Sequence, residues 1–333
     1  MTIGVIGGGA WGTALAQAMA GPGGEHEDVL LWAREPELVG EINARHTNTA
    51  FLPGLALSPA IRATGDLHDL AALDSVLVVA PAQHLGGVLS QLPDGVRDLV
   101  LCAKGIEAGT GRLMADVARA AAPSATLAVL SGPTFAHEVA AGLPTAVTLA
   151  CEGGAAQWQR LAPRLSRPAL RPYFSDDMVG AEIGGAVKNV LAIACGVVDG
   201  LGLGQNARAA LIARGYAEMT RFGLALGARA ETLAGLCGLG DLVLTCSSAS
   251  SRNFSLGKAL GEGADAASAL AGKLSVAEGA HTAPVLAGLA EARGVSMPIV
   301  AAVARLLAGE SSARDVAAGL LARPLKPELD PSA

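Results

Sequence analysis

The sequence predicts an α/β domain with a doubly wound parallel sheet at the N-terminus, followed by an all-α domain. Short apolar runs rich in β-branched residues alternate with helical patterns through the first half of the chain, which is typical of parallel strands covered by helices on both faces. A glycine turn follows the first run, and strand signals end after "LRPYFSDDM". We therefore expect a sheet domain over residues 1–180, a helical domain over 181–323 and a frayed tail over 324–333.

Six segments of the first half are predicted strands because they are short, apolar and bounded by turn residues. They are "TIGVIGGG", "DVLLWAR", "DSVLVVAP", "RDLVLCAKG", "TLAVLSGP" and "PTAVTLAC". Segments between them, such as "WGTALAQAMA", "EPELVGEINAR" and Arg112 to Ala122, have helical composition. In the second half, apolar residues recur at steps of three and four, which predicts a helix with one apolar face. These residues are Val187, Val190, Leu191, Ala194 and Val198.

The composition excludes several classes of protein. The chain of 333 residues is long enough for two domains, and its net charge of −6 without a basic block argues against nucleic-acid binding. Its longest apolar stretches are interrupted by Pro81, Pro123, Pro133 or Lys188, so none supplies the ~20 apolar residues of a membrane-spanning helix. The N-terminus has no basic region before a cleavable apolar segment. We expect a cytoplasmic protein without membrane insertion.

The cysteines are odd in number and form no C-x-x-C pair. We therefore expect reduced thiols in a cytosolic protein, with neither a metal site nor a disulfide framework. They are Cys102, Cys151, Cys195, Cys237 and Cys246. The alanine- and leucine-rich helices favour a buried face between two copies, and hence a homodimer.

Gly7, Gly9 and Gly12 form a G-x-G-x-x-G pattern between a predicted strand and a predicted helix. In a Rossmann-like domain the first glycine permits the tight turn, the second lets the backbone approach a pyrophosphate, and the third lets helix and strand pack closely. The pyrophosphate then lies at the positive end of the following helix. The pattern therefore predicts a dinucleotide site, and the alternative is a glycine loop without a ligand.

The end of the second predicted strand, near Ala33, determines which dinucleotide is expected. An acidic residue at this place holds the ribose 2′-hydroxyl of NAD, whereas an arginine accommodates the 2′-phosphate of NADP. The chain has Arg34 followed by Glu35, which favours NADP and leaves NAD open. The alternative is a solvated charge pair at the start of a helix.

Lys188 stands with Asn189 in the middle of an apolar helical stretch, "AEIGGAVKNVLAIACGVVDG". An unpaired buried charge is costly, so either its side chain reaches solvent or a site requires it. Lys104 ends a predicted strand, at the edge where ligands bind in such sheets. Two ammonium groups near one carbonyl, together with burial, would lower the pKa of each lysine toward the range used in acid–base catalysis. Asp241 lies in an uncharged run and is the candidate counter-charge for Lys188.

The polar segment "SSASSRNFSLG" contains Arg252 and Asn253 after a run of serines. A guanidinium, an amide and backbone N–H groups together suit a phosphate, and the alternative is a flexible connection. No G-x-x-x-x-G-K sequence occurs in the chain, which excludes a nucleotide-hydrolysing phosphate loop.

The chain resembles the NAD(P)-dependent glycerol-3-phosphate dehydrogenases of the bacterial type, from Ile3 to the low 320s. The run "SGPTFA" followed later by "GGAVKN" is the most specific part of the resemblance. The other motifs, in order, are the glycine turn, "AKGIE", "SGPTFAHEVAAGLPTA", "NARAALIARGYAEM", "GLGDLVLTC" and "SRN". The resemblance implies reversible reduction of dihydroxyacetone phosphate to sn-glycerol 3-phosphate, a precursor of phospholipids.

The resemblance also implies roles for individual residues. Lys188 would donate the proton in reduction, Asp241 would orient it, and Lys104 would contact both substrate and cofactor. The substrate, including its phosphate, would be bound by Gly132, Thr134, Asn189, Thr245, Ser251, Arg252 and Asn253. The cofactor would be bound by Gly7, Gly9, Ala10, Trp11, Gly12, Arg34, Ala136, Arg252, Val276 and Glu278.

Two places depart from the family pattern. Ala10 stands where a serine is common, which removes a hydroxyl contact to the pyrophosphate. Phe254 and Ser255 follow Asn253 where many relatives have further arginines, so additional cationic contacts to the phosphate are not expected.

Two other functions stay open at this point. One is a 3-hydroxyacid dehydrogenase, whose carboxylate substrate lacks a phosphate, and the other is a non-catalytic NAD(P)H sensor. The Ser251–Asn253 segment favours a phosphorylated substrate, and the lack of a basic recognition helix argues against the sensor.

Overall fold

The computed structural model describes residues 2–21, 27–270, 277–325 and 327. The chain forms two compact units. The first, the sheet unit, comprises Met1–Lys104 and Leu113–Ala181, and the second, the helical unit, comprises Gly105–Arg112 and Glu182–Ala333. Residues 105–112, which the sequence placed in the first domain, thus belong to the second unit. Most of the expected frayed tail, 324–333, lies outside the described residues.

The sheet unit contains eight strands in one sheet, in the order β3-β2-β1-β4-β5-β6-β7-β8. The first six follow the strand order of doubly wound dinucleotide-binding domains, in which the order reverses between β1 and β4. The predicted fold class is confirmed. The strands are β1 (Thr2–Ile6), β2 (Asp28–Trp32), β3 (Ile61–Thr64), β4 (Ser75–Val78), β5 (Asp98–Leu101), β6 (Thr126–Ser131), β7 (Thr145–Cys151) and β8 (Leu170–Ser175).

The expectation of a wholly parallel sheet is wrong at one pair, because β6 and β7 are antiparallel. The chain passes from β6 to β7 through residues 132–144, which contain only a five-residue helix. A helix of five residues is too short to carry the chain back along the sheet, as the crossover between two parallel neighbours does. Strands β3 and β8, which the sequence did not predict, are the two edges of the sheet. An exposed charge in β3, Arg62, and a proline in β8, Pro172, explain this, since edge strands tolerate charge and proline.

Helices in the connections between the strands cover the sheet. They are α1 (Ala10–Ala20), α2 (Pro36–Arg45), α3 (Leu85–Leu89), α4 (Met114–Ala121), α5 (Ala136–Ala140) and α6 (Gly154–Leu165), with 3₁₀ turns at Leu67–Leu70 and Ala82–His84. The core between α1 and the sheet includes Ile3, Val5, Leu15, Met19 and Leu31, all inaccessible to solvent. This packing fixes the turn that joins β1 to α1.

Every described element of the helical unit is a helix. They are α7 (Met178–Gly200), whose first residues belong to the sheet unit, α8 (Gly204–Ala225), α9 (Ala230–Ala234), a π-helical turn (Leu236–Gly240), α10 (Asp241–Cys246), α11 (Arg252–Gly261), α12 (Ala266–Leu270), α13 (Glu278–Ala292), α14 (Pro298–Leu307) and α15 (Ala313–Leu321).

Helix α7 is buried on every side from Gly180 to Val197, so the expected single apolar face is wrong. A helix that is apolar all round belongs in a core or a membrane. This one is long and apolar enough to span a membrane, contrary to the expectation that no stretch qualified, but 94% of its most apolar window is buried inside the protein. It is therefore the central core helix.

Glycines let α11 approach the backbone of α7. Gly196 and Gly200 lie one turn apart on α7, and Gly257 and Gly261 lie one turn apart on α11. A Cβ at Gly257 would lie 1.9 Å from the carbonyl oxygen of Ile193 on α7, which no side chain allows. The first turn of α11 contains the SRN segment, Ser251–Asn253, and is held against the core helix in this way.

We expect Gly257→Ala to lower the melting temperature, because the new methyl group would overlap a backbone oxygen and force the helices apart. The matched control is Gly288→Ala in α13, where a Cβ meets no atom within 4 Å. There the higher helix propensity of alanine should raise stability by up to about 1 kcal/mol. Thermal unfolding of both variants checks this. Equal shifts of the two melting temperatures would contradict the close contact of α7 and α11.

Candidate active site

The turn between β1 and α1 has the shape that its glycines predict. Gly7 has a φ of +124°, which L side chains rarely adopt, and it takes the tight-turn position. A Cβ at Gly12 would lie 1.9 Å from the carbonyl oxygen of Gly7, so helix and strand pack backbone to backbone. Gly9 is different, because a Cβ there would meet no atom within 4 Å. The missing side chain at Gly9 therefore leaves room for a ligand and is not needed for packing.

Two features at this turn fit a dinucleotide. The N-cap residue of α1 is Gly9, which has no side chain to cap the first turn. Backbone N–H groups at this turn are therefore available to an anion. The indole Nε1 of Trp11 is buried and has no hydrogen-bond partner among the described residues. A buried donor of this kind is normally satisfied. Ala10 begins α1 and offers only its backbone.

Arg34 and Glu35 follow β2 and precede α2. The guanidinium of Arg34 donates from Nε and Nη2 to Oε1 of Glu35, over 3.1 and 2.9 Å. The Arg34 side chain is 76% exposed, so this ion pair is a weak one that solvent screens. The guanidinium is therefore accessible to an anionic ligand.

Lys104 lies three residues beyond β5, at the carboxyl edge of the sheet. It donates from Nζ to the carbonyl oxygen of Gly132, over 3.1 Å. Gly132 follows β6, and a Cβ there would lie 2.9 Å from Cα of Val147, so only glycine fits. The hydroxyl of Thr134 donates to the same carbonyl over 3.3 Å. Lys104, Gly132 and Thr134 are thus brought together, and Ala136 begins α5 just after them.

Lys188 is buried in α7 and is paired. Its Nζ donates to Oδ1 of Asp241 over 2.7 Å and to the hydroxyl oxygen of Thr245 over 2.9 Å. The hydroxyl of Thr245 in turn donates to Oδ1 of Asp241 over 3.2 Å. The Lys188 side chain is 7% exposed and that of Asp241 is fully buried. The Lys188 side chain is therefore paired inside the core and does not extend to solvent.

The elements that carry Asp241 and Thr245 approach α7 closely. Asp241 is the first residue of α10 and follows the π-helical turn at once. A Cβ at Gly184 would lie 2.3 Å from the carbonyl oxygen of Cys237 in that turn. Such turns are frequent at functional sites. The bare backbone of α7 thus brings the carboxylate within reach of Lys188.

The SRN segment is the ordered start of α11. Ser251 is the N-cap residue, and its hydroxyl oxygen accepts a hydrogen bond from the backbone N–H of Phe254, over 3.2 Å. The amide of Asn253 donates to Oδ1 of Asn189 over 3.0 Å, and its Oδ1 accepts from the backbone N–H of Gly279 over 3.0 Å. Asn253 therefore joins α7, α11 and the start of α13. The alternative of a flexible connection is wrong.

The remaining expected residues are less constrained. Arg252 is exposed in the first turn of α11, and Glu278 is the first residue of α13. Val276 lies outside the described residues. The described residues contain no group of three or more His, Cys, Asp and Glu that could hold a metal ion. The five cysteines predicted as reduced thiols are free and buried.

Sequence reasoning missed Asn48 and Thr13, whose buried side chains contact the glycine turn. Both donate to the carbonyl oxygen of Gly8. No pattern in the sequence marks either residue, because a polar side chain in a loop or on a helix is ordinary.

Family profiles match both units. Residues 2–157 match the N-terminal domain, and residues 177–318 the C-terminal domain, of NAD-dependent glycerol-3-phosphate dehydrogenase. The chain belongs to this family. As a glycerol-3-phosphate dehydrogenase by family, it is an NAD(P)-dependent oxidoreductase, which decides against the hydroxyacid dehydrogenase and the sensor.

Individual relatives are similar over nearly the whole chain. A glycerol-3-phosphate dehydrogenase (NAD(P)+) of Erythrobacter litoralis is 70% identical over 98% of this chain and 97% of its own. That of Novosphingobium aromaticivorans is 68% identical over 98% of both. The crystal structure of glycerol-3-phosphate dehydrogenase from Coxiella burnetii is 38% identical, with a TM-score of 0.90 over 97% of this chain and 99% of that one.

Replacing Asp241 by Ala should destabilise the protein by roughly 3–5 kcal/mol, because it leaves the ammonium of Lys188 buried without a counter-charge. The double variant Lys188→Met/Asp241→Leu exchanges the ion pair for apolar side chains of similar size. It should recover most of the lost stability. Urea unfolding followed by circular dichroism compares the two. The buried ion pair would be ruled out as a structural constraint if Asp241→Ala unfolded at the wild-type urea concentration.

Proposed function

We propose that this chain catalyses the reversible NAD(P)H-dependent reduction of dihydroxyacetone phosphate to sn-glycerol 3-phosphate, a precursor of glycerophospholipids. The names of the family and of the similar proteins support this reaction. The observation that carries the mechanism is the buried ammonium of Lys188, held by Asp241 and Thr245. A buried cation with two oriented partners suits a reaction in which a carbonyl oxygen gains negative charge.

Lys188 is assigned as the proton donor in reduction and the acceptor in oxidation. When bound, NAD(P)H supplies the hydride that reaches the substrate carbon. The carbonyl oxygen then becomes an alkoxide, and an ammonium group beside it both stabilises the charge and delivers the proton. Asp241 supplies the counter-charge of Lys188, and Thr245 fixes the direction in which its Nζ points.

The sheet unit is assigned a second set of substrate contacts. Lys104 is anchored through its Nζ to the carbonyl of Gly132, which places an ammonium group at the carboxyl edge of the sheet. Thr134 shares the same carbonyl. This arrangement supports assigning Lys104, Gly132 and Thr134 to substrate binding, with Ala136 assigned to the cofactor.

The substrate phosphate is assigned to the first turn of α11. Backbone N–H groups at the start of this ten-residue helix attract an anion, and Arg252 adds an exposed guanidinium. Asn253 uses one amide hydrogen on Asn189, and its other amide hydrogen is assigned to the phosphate. Ser251, Arg252 and Asn253 together explain a preference for a phosphorylated substrate, with Arg252, Val276 and Glu278 also assigned to the cofactor.

The test is NADPH oxidation with dihydroxyacetone phosphate, compared with unphosphorylated dihydroxyacetone and a 3-oxoacid. The phosphorylated substrate should be strongly preferred. Lys188→Met should lower kcat by about 10²–10⁴ through loss of the general acid, while NADPH binding, followed by its fluorescence, stays unchanged. The control is Lys258→Met, since Lys258 is a half-exposed lysine of α11 that pairs only at the surface with Asp199. Near-native kcat in Lys188→Met would refute its assignment, and equal rates with the three substrates would refute the proposed reaction.

NADP(H) is proposed as the favoured cofactor, with NAD(H) also used. Arg34 is accessible, and its fork of N–H groups matches a phosphate. Glu35 already occupies that fork through one carboxylate oxygen, so it competes with the 2′-phosphate and moderates the preference.

Arg34→Glu should therefore raise KM for NADPH much more than KM for NADH, because the 2′-phosphate loses its partner and meets a carboxylate. Glu35→Gln should have the opposite effect, since the guanidinium is released and a negative charge is removed. The measurement is kcat/KM for both cofactors in the wild type and the two variants. If NADPH and NADH respond equally to Arg34→Glu, this residue does not bind the 2′-phosphate.

A cytoplasmic homodimer is the proposed physiological form. Five free, buried cysteines support a reducing compartment, and the alanine- and leucine-rich helices support a contact between two copies. Light scattering coupled to size-exclusion chromatography gives the mass in solution and tests the dimer.

A further inference from the structure

The carbonyl group of Gly8, within the glycine turn, is held by two buried side chains. Asn48 donates from Nδ2 to this oxygen over 2.9 Å, and the hydroxyl of Thr13 donates to it over 3.2 Å. Asn48 also donates from Nδ2 to the hydroxyl oxygen of Thr13, over 2.8 Å. Asn48 and Thr13 are both inaccessible to solvent. The three groups form a closed network in which the Gly8 oxygen accepts twice.

The side-chain oxygen of Asn48 also has a hydrogen-bond partner. Its Oδ1 accepts a hydrogen bond from the backbone N–H of Phe51, over 3.1 Å. A rotated amide would face that N–H with its own donors, so the network determines which atom is nitrogen. Both amide hydrogens of Asn48 are therefore directed at the glycine turn and at Thr13.

The residues on either side of Asn48 are fastened to α2. Oε1 of Glu41 accepts hydrogen bonds from the hydroxyl of Thr47, over 2.8 Å, and from the backbone N–H of Thr49, over 2.9 Å. The bond from Thr49, and then that from Thr47, hold the pKa of Glu41 below its usual value. The loop that follows α2 thus presents Asn48 to the turn from a fixed position.

Holding the Gly8 carbonyl has a consequence for the next residue. The C=O and N–H of one trans peptide unit point in opposite directions, and the described residues contain no cis peptide bond. With its oxygen directed inward at Asn48 and Thr13, the Gly8–Gly9 unit directs the N–H of Gly9 outward. Gly9 is exposed and faces open space. Three glycines in sequence have no side chains to fix this orientation themselves.

We propose that Asn48 is a positioning residue that, through the Gly8 carbonyl, aims the N–H of Gly9 at the pyrophosphate of NAD(P)H. The inference rests on the dinucleotide site assigned to this turn. A donor that is already oriented binds without first losing conformational freedom, so the affinity depends on Asn48 although its side chain does not touch the ligand.

The test uses two variants. Asn48→Asp keeps the oxygen that accepts from Phe51 but replaces both donor hydrogens, while Asn48→Ala removes the amide without adding charge. The matched control is Asn43→Asp, because Asn43 on α2 also donates to a backbone carbonyl, that of Ala63 over 2.9 Å, and accepts from its N–H over 2.8 Å. Asn43 supports β3 and does not contact the turn.

The probes are two competitors of NADPH. One is 2′-phospho-ADP-ribose, which contains the pyrophosphate but no nicotinamide, and the other is 2′-AMP, which lacks the pyrophosphate. Both Asn48 variants should raise Ki for 2′-phospho-ADP-ribose by about tenfold, the effect of one charge-assisted hydrogen bond. Ki for 2′-AMP, and KM for dihydroxyacetone phosphate at saturating NADPH, should stay within about twofold. Asn43→Asp should change neither Ki, whatever its melting temperature.

Two outcomes would overturn the proposal. An equal rise of both Ki values in the Asn48 variants would mean that Asn48 maintains the whole turn and does not direct one N–H group. Unchanged Ki values in variants that fold would mean that the turn needs no support. Both Ki values are measured by displacing bound NADPH, followed by its fluorescence, so they do not depend on turnover. Failure of the proposed reaction is recognised separately, from wild-type protein that binds NADPH but does not reduce dihydroxyacetone phosphate.

Discussion

The constraint on which the helical unit depends is an ammonium group placed inside its central helix. Lys188 lies in an apolar stretch of α7, and taking a charge out of water is costly unless partners are supplied. Asp241 and Thr245 supply them at 2.7 and 2.9 Å. Both belong to α10, so the position of α10 against α7 is fixed by electrostatics as well as by packing. The proposed proton donor and the stability of this unit therefore depend on the same contact.

Backbone contacts through glycine make such placements possible. Aromatic residues are 3% of the chain, whereas 43 residues are glycine, so bulky side chains cannot define most of the interior. In the sheet unit Gly12 lets α1 meet the carbonyl of Gly7, and in the helical unit Gly184 lets the π-helical turn meet α7. Close backbones bring short side chains within hydrogen-bonding distance of one another. The short side chains of Asp241 and Thr245 can reach Lys188 because α10, which carries both, lies close to α7.

The sequence could predict the parts of the fold whose signal is local. Apolar runs mark the inner strands, and a glycine turn followed by a helix marks the first crossover. The edge strands β3 and β8 carry Arg62 and Pro172. Because an edge strand is hydrogen-bonded to a neighbouring strand on one side only, it can resemble a loop in composition. The direction of β7 could not be predicted either, because an apolar strand has the same pattern whether it runs parallel or antiparallel. Burial of α7 on all sides depends on helices far along the chain.

Site residues also differ in whether the sequence indicates them. A charge in an apolar run demands a partner, so Lys188 and Asp241 stand out in the amino-acid sequence itself. A neutral amide in a polar loop makes no such demand, because water satisfies it equally well in an exposed loop. Asn48 becomes informative only when folding buries it and directs its amide at the backbone of Gly8. Groups that carry charge can thus be inferred from composition and spacing, whereas groups that orient a backbone emerge only from the three-dimensional structure.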